Sequence, residues 1–264
     1  LPEREELLKK QERELAKKLK ENKFSAVILA AGRGTRMKSN LAKVLHELAG
    51  KPLLYYSVAA ARHAGAEKIV VIIGHQAQKI REIFADGDLI FAEQKPQLGT
   101  GHAVMQAREA LAGYPGLTVI LCGDVPLLQV ETIKALVAEH IRFRACLTVL
   151  TTFPAEVKGY GRVVKDGNGN ICKIVEERDA TEQEKQIGEI NTGIYCVATP
   201  FLFAALGKVK NNNSQQEYYL TDIVEIACRE GQIVRAHIAP DYLEVMGINT
   251  VEQLQQAGAY LAAT

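Results

Sequence analysis

The chain has 264 residues, 47% of them hydrophobic and 24% charged, with a formal net charge of +1. That is enough apolar material for one large or two small domains with a proper core, and it leaves no overall basic field for nucleic acid, so any anion site must be local. The five cysteines stand far apart and never as CxxC, no signal peptide is visible, and no apolar run approaches the roughly 20 residues of a membrane helix, so the expectation is reduced thiols in a cytoplasm and no membrane.

Residues 1–23 alternate glutamates with lysines and arginines at helical spacing, and Leu8, Leu15 and Leu19 share one face. They read as a charged helix, appended or processed, since the sequence starts with Leu. The bland reading is a solvated helix and the sharper one a self-associating helix, although two heptads are short for that.

From Ser25 the rhythm is strand, loop, helix. "SAVILA" is a buried strand, "KPLLYYSVAAARHAG" a helix with Pro52 near its start and Gly65 at its end, and "KIVVIIG" a strand. "QAQKIREIFA" (helix), "LIFAEQ" (strand), "GHAVMQAREALAG" (a helix ended by Gly113) and "LTVILCGD" (strand) follow. Then come "VETIKALVAEHIRF" (helix) and "ACLTVLTT" (strand). This alternation predicts an α/β fold, a Rossmann-like, mostly parallel sheet flanked by helices. "GRVVKDGNGNICKIVEE" is a hairpin around an Asp-Gly-Asn-Gly turn, and further strands follow to "GQIVRAHI". Residues 24–264 read as one domain, with a nucleotide-binding part (24–150), a β-rich elaboration lying over the sheet (151–245) and a C-terminal helix (246–264).

"LAAGRGTRMKS", Leu29–Ser39, looks like a phosphate loop. Both a Walker loop and a dinucleotide fingerprint fail at Met37, where each needs glycine. The loop still has what anion binding requires: glycines for close backbone approach, Arg36 for bidentate bonds and Lys43 as a mobile charge. Taken alone it is equally a glycine-rich turn. Gln94 and Gln97 can read the edge of a base, with Gly99 and Thr100 approaching by backbone, and the same stretch can be a helix cap. Asp124, at a strand tip, is either a turn residue or a Mg²⁺ ligand. Asn249 alone reads as a helix cap.

The blocks "LAAGRGTRMKSNLAKVLHELAGKPL", "QLGTGHA", "GDVPL", "GYGR", "IVEERDAT", "EINTGIY", "NNNSQQEYYLTDI" and "EVMGIN" occur in this order. Together they resemble the uridylyltransferase domain of the bifunctional N-acetylglucosamine-1-phosphate uridyltransferases, within the sugar nucleotidyltransferases. The resemblance covers about Ser25 to the C-terminus. It implies the nucleotidyltransferase fold with a β-rich, sugar-binding elaboration, and a cytoplasmic enzyme of cell-wall biogenesis. The implied substrates are UTP and N-acetylglucosamine 1-phosphate, and the products UDP-N-acetylglucosamine and pyrophosphate. It further implies that Leu29, Ala30, Ala31, Gly32 and Gly34 line the nucleotide site, and that Arg36 and Lys43 bind the phosphates and are catalytic. Gln94, Gln97, Gly99 and Thr100 match the uridine block, with Gly123 beside the metal block. Asp124 and Asn249 match the ligands of the Mg²⁺ cofactor. Gly161, Glu176, Asn191 and Thr221 match the sugar block, with Tyr219 close by. Ala42 and Cys122 depart from the usual Pro and Tyr without removing a charge or ligand. The charged N-terminal helix has no counterpart in the pattern, and the family's second half, an acetyltransferase β-helix, is not expected in this chain.

Overall fold

The computed structural model describes residues 23–37, 39–85 and 87–263, so the helix and self-association expected of residues 1–23 fall outside it except for Lys23. The strands are β1 (Phe24–Ala30), β2 (Glu47–Leu48), β3 (Lys51–Pro52), β4 (Lys68–Ile73), β5 (Leu89–Glu93), β6 (Leu117–Cys122), β7 (Leu147–Thr152), β8 (Arg162–Lys165), β9 (Ile171–Val175), β10 (Ile190–Ala198) and β11 (Val234–Ile238). The helices are α1 (Leu53–Ala64), α2 (Ala77–Ile83), α3 (Thr100–Met105), α4 (Val130–Arg142), α5 (Thr199–Leu206), α6 (Asp222–Arg229) and α7 (Val251–Ala263).

β1 is apolar without a break from Ala26 to Ala30 because both of its faces are covered. Ala26, Ile28 and Ala30 face Val58 and Ala61 of α1, Ile80 of α2 and Ile133 and Leu136 of α4. Val27, on the other face, belongs with Val104 of α3, Leu202 and Leu206 of α5 and Ile223 of α6. The period of two along the strand therefore builds two cores, one on each side of a single sheet. Local signals set the element ends. Gly65, with φ +94°, closes α1 by donating to Ala61 and Arg62. Asp166 accepts the N–H groups of Asn168 and Asn170, each at 2.9 Å, and turns the β8–β9 hairpin.

The strand order is β11-β7-β10-β6-β1-β4-β5, with the β8–β9 hairpin branching from β10 and β2–β3 forming a separate ladder. β1, β4, β5 and β6 are parallel, β11 is parallel to β7, and β10 runs antiparallel between β6 and β7. This corrects the expectation that 151–245 lies over the sheet, because β10 and β11 are strands of it. The physical reason lies in "IYCV", Ile194–Val197, which is buried throughout and can be covered only between two neighbours. The chain leaves β1 towards β4 and β5 and then returns to β6 on the opposite side. This reversal opens a crevice at the carboxyl ends of β1 and β6.

α3 is shorter than the sequence predicts. After Met105 the chain tightens into i→i+3 bonds, from Gln106 to Ala103, Ala107 to Val104 and Arg108 to Met105. Three residues per turn stack Ala107 directly on Val104, and both are fully buried against the sheet.

Candidate active site

The loop after β1 explains why two phosphate motifs fail at Met37. Met37 N–H donates to Gly34 O at 3.0 Å, closing a 3₁₀ turn over Thr35–Met37, and the Met37 side chain sinks to 2% exposure. The position is a hydrophobic anchor, not a phosphate contact. Gly34 has φ +70°, and a Cβ there would stand 2.5 Å from Lys43 Cβ. The missing side chain lets the loop fold down onto Lys43.

Three segments far apart in sequence meet at the crevice. Arg36 Nη2 donates to Asn249 Oδ1 at 2.7 Å, and Lys43 Nζ donates to the same oxygen at 3.0 Å. Lys43 Nζ also pairs closely with Asp124 Oδ2, both side chains being largely shielded from solvent. Asp124 O accepts Ile248 N–H at 2.9 Å, which brings the 247–249 turn alongside. Asn249 is released from capping duty by its neighbour. Thr250 Oγ1 accepts Gln253 N–H at 3.2 Å while Gln253 Oε1 accepts Thr250 N–H at 3.1 Å, a reciprocal capping box on α7. The Asn249 amide can therefore point its oxygen into the charged cluster.

A cleft of about 310 Å³ opens beside the cluster, lined by Leu29–Gly32, Lys43, Gln94, Gln97, Gly99, Thr100 and Asp124. Gly123 N–H donates to Leu29 O at 2.9 Å and ties the ends of β6 and β1 together beneath it. The two glutamines spend their amide nitrogens on the loops. Gln94 donates to Gly99 O at 2.9 Å and Gln97 donates to Ala31 O. Gly99 lies against the strap Glu217–Thr221. Tyr218 N–H donates to Leu98 O at 2.8 Å, Gly101 N–H to Tyr218 O at 2.7 Å and Leu220 N–H to Thr100 Oγ1 at 3.1 Å.

The same strap reaches the other expected block. Thr221 Oγ1 donates to Glu176 Oε1 at 3.1 Å, and Tyr219 OH donates to Asp179 Oδ2 at 3.1 Å. Tyr219 is buried, and its hydroxyl also accepts from Gln215 at 2.9 Å, so it works as a brace of the strap. Asn191 N–H donates to Gly161 O at 2.9 Å, and Asn191 Oδ1 accepts Gly193 N–H at 3.0 Å. Burial, with Asp179 and Glu217 nearby, lifts the Glu176 carboxyl above its ordinary value despite the Thr221 bond. Burial above all, then Glu225, Glu176 and Asp179, pushes Asp222 up to about 6. This side of the site is thus rich in carboxylates, whereas the loop after β1 is cationic.

The structure brings every expected site residue to these two adjoining regions. Two residues that the sequence reading did not single out also belong here. Glu217 lines the cleft. Tyr160 has its phenol pKa raised by burial first, with Arg36 acting to lower it and Asp124 to raise it, so its ring senses the charged cluster. Both lie inside the quoted blocks, but neither has a sequence neighbour that marks a role. Cys122, also lining the cleft, is pushed up to about 12 by burial and by Asp124, with Lys43 opposing, so its thiol stays protonated.

The sequence profile of the MobA-like NTP transferase domain family matches residues 26–204. The chain belongs to that family. Its relatives there include the bifunctional protein GlmU of Geotalea daltonii, 52% identical over 237 residues, which make up 89% of this chain and 52% of that protein. GlmU of Geotalea uraniireducens is 52% identical over 241 residues, 91% of this chain and 53% of that protein. GlmU of Desulfotalea psychrophila is 46% identical over 238 residues, 90% of this chain and 70% of that protein. The chain thus spans about half the length of the Geotalea relatives. The resemblance read from the motif blocks is borne out. A solved UDP-glucose pyrophosphorylase complexed with UDP-glucose superposes with a TM-score of 0.72 at 20% identity, covering 92% of this chain and 100% of that one, which bears out the fold. No helix among the described residues is long and apolar enough to cross a membrane.

Proposed function

We propose that this chain joins UTP and N-acetylglucosamine 1-phosphate into UDP-N-acetylglucosamine, releasing pyrophosphate. The observation that carries the reading is the convergence of Arg36, Lys43, Asp124 and Asn249 at one edge of a cleft. In the proposed reaction a phosphate oxygen of the sugar 1-phosphate attacks the α-phosphorus of UTP in line. One P–O bond forms, the bond to the β-phosphate oxygen breaks, and the electron pair leaves on pyrophosphate. The nucleophile is already an anion, so no base is needed, and no histidine lines the cleft among the described residues. The task is to hold two polyanions in line and to neutralise the leaving charge. Arg36 and Lys43 suit the β- and γ-phosphates, and Leu29–Gly34 the backbone cradle. Gln94, Gln97, Gly99 and Thr100 form the wall for the uridine. Gly161, Glu176, Asn191 and Thr221 supply the acceptors and donors that sugar hydroxyls and an amide need, with Tyr219 behind them.

Asp124 and Asn249 are the residues that would hold Mg²⁺. Their two oxygens already share one cation, the Lys43 ammonium, so the pair fits a hard ion. No group of three or more His, Cys, Asp or Glu suited to a metal occurs among the described residues, so substrate phosphates and water must complete the shell. When bound, the ion would supply charge neutralisation between nucleophile and α-phosphate.

The test is release of pyrophosphate from UTP across a panel of sugar 1-phosphates with Mg²⁺. N-acetylglucosamine 1-phosphate should react best. A marked preference for glucose 1-phosphate would point to another hexose-1-phosphate nucleotidyltransferase, and no release from any donor and acceptor pair would point to a binding protein. Asp124→Ala should cost about 3 kcal/mol in the barrier, roughly a hundredfold in kcat, while retaining measurable binding of UDP-N-acetylglucosamine. Undiminished turnover would remove the metal role.

A further inference from the structure

The largest fully buried side chain among the described residues is an arginine. Arg162, the first residue of β8, is 1% exposed. A guanidinium in the interior is costly unless paired, and apolar residues in such a place are often as stable or more so. Stability alone therefore gives a poor reason for it. Arg162 Nε has no hydrogen-bond partner among the described residues, so the burial is not even fully compensated.

Its other two nitrogens have definite targets. Nη1 donates to the carbonyl of Tyr160, and Nη2 forms an ion pair at 2.7 Å with Glu177 Oε2, an oxygen that accepts no hydrogen bond among the described residues. Burial acts to raise the Glu177 carboxyl, but the Gly159 N–H and Arg162 overcome it and hold the group below its ordinary value, so it stays anionic. Arg162 thus holds the Gly159–Gly161 turn by the Tyr160 carbonyl, with Glu177 supplying the matching charge beside it. That turn contains Gly161 and adjoins Asn191 and Glu176, three of the four residues assigned above to the sugar. The Tyr160 carbonyl belongs to the peptide that leads into Gly161, and Gly161 O accepts Asn191 N–H at 2.9 Å. A Cβ on Gly161 would stand 3.0 Å from Ile174 Cγ2 and 3.5 Å from Glu176 Oε2. Glu177 directly follows Glu176. The backbone of Arg162 is itself in register with Val175 and Ile190, each one residue from a member of the block.

We propose that Arg162 and Glu177 are positioning residues for the acceptor sugar phosphate: they fix the Tyr160–Gly161 peptide against Glu176 and Asn191 without touching substrate. The proposal rests on the uridylyltransferase reading. A guanidinium is suited to the task because its rigid planar fork holds a carbonyl and a carboxylate on separate nitrogens in fixed geometry, where a lysine offers one mobile nitrogen. The nucleotide wall at Gly99–Gly101 is built by other hydrogen bonds, so the pair acts on one substrate and not on both.

Two variants test this by steady-state kinetics in each substrate, with thermal unfolding alongside. Arg162→Met combined with Glu177→Gln removes both charges together and keeps an acceptor for the Gly159 N–H. Arg162→Lys keeps a cation beside Glu177 and frees the Tyr160 carbonyl. Each should lose on the order of ten- to a hundredfold in kcat/KM for N-acetylglucosamine 1-phosphate, through KM in the main. KM for UTP should stay within about twofold of wild type, and the unfolding temperature of Arg162→Lys should be close to wild type. A folded Arg162→Lys with wild-type kcat/KM for the sugar phosphate overturns the proposal, and so does an equal loss towards UTP. If the double variant does not fold, Arg162→Lys decides alone. If the wild-type chain turns over no sugar 1-phosphate with UTP, the uridylyltransferase reading fails and takes this proposal with it. Wild-type turnover with unaffected variants sinks the positioning role alone.

Discussion

Gly99 stands where the first turn of α3 meets the 217–221 strap, and its replacement by alanine tests the construction of the nucleotide wall. Its backbone, at φ 105° and ψ 173°, lies in a region essentially restricted to glycine, at a cost of about 1–3 kcal/mol for any other residue. An added Cβ would also stand 2.7 Å from Tyr218 O, 2.8 Å from Glu217 Cβ and 2.9 Å from Tyr218 N. Tyr218 cannot give way as a flexible side chain would, because its N–H and C=O are bonded to Leu98 and Gly101. Overpacking of this kind costs about 1–3 kcal/mol more. Gly99→Ala should therefore lose about 4 kcal/mol, a large part of a typical domain's stability, and should raise KM for UTP as the wall shifts. Gly113 is the control. Its φ is +69° but a Cβ there meets nothing within 4 Å, so Gly113→Ala should lose only about 1 kcal/mol. Urea midpoints, with slopes checked for constancy, measure both. Equal losses at the two positions would mean that the strap does not confine Gly99, and the account of the wall would fail.

Asp222, with its carboxyl at about 6 in the folded chain against an ordinary 3.8, keeps a proton that the unfolded chain loses. Its favourable contribution is present below the lower value and is lost as pH rises through the higher, so Asp222→Asn should exceed wild type in stability at pH 8. The gap should be on the order of 1 kcal/mol after discounting for partial exposure, and should close near pH 4. A gap that does not vary with pH in urea titrations would refute the assignment. Gly193 has φ +80°, and a Cβ there would lie 3.0 Å from Cys122 Sγ. Gly193→Ala should lose about 1–3 kcal/mol, and adding Cys122→Ala should recover the part due to the clash but not the backbone strain. Strictly additive effects in the double-mutant cycle would sink this reading.

The elements of the nucleotide half were legible because their signals are local. The apolar run Ala26–Ala30, too short for a helix and followed by a glycine-rich loop, reads as a strand covered on both faces, and a glycine at 65 can end a helix without a partner elsewhere. The charged residues of the site were legible as types, and the blocks put them in order, but their company was not. Asn249 and Thr250 are equally good caps in sequence, and only the capping box with Gln253 decides which one is free. Arg162 in "RVVK" reads as an ordinary polar position of an alternating strand, because the Glu177 and Tyr160 groups that bury it come from across the hairpin. β10 was recognised as a strand, but its place was not, since an apolar run states that it has two neighbours and not which two.

That place has a consequence for how the molecule comes to be built. β6 and β7 are made some forty to seventy residues before β10, yet neither bonds to the other, and each waits for the same later strand. Until residue 198 has emerged, the growing chain holds the β6-β1-β4-β5 sheet with the edge of β6 bare, and β7 stands without either of its neighbours, since β11 is made later still. A product ending near residue 150 would thus expose the flank of β6, an invitation to pair with another chain. The strand that closes the sheet also carries Asn191, at the end of β10 nearest the site. The step that joins the two halves of the fold thus precedes the arrival of the 217–221 strap and Asn249, and a chain with an assembled site is one whose sheet has already been closed.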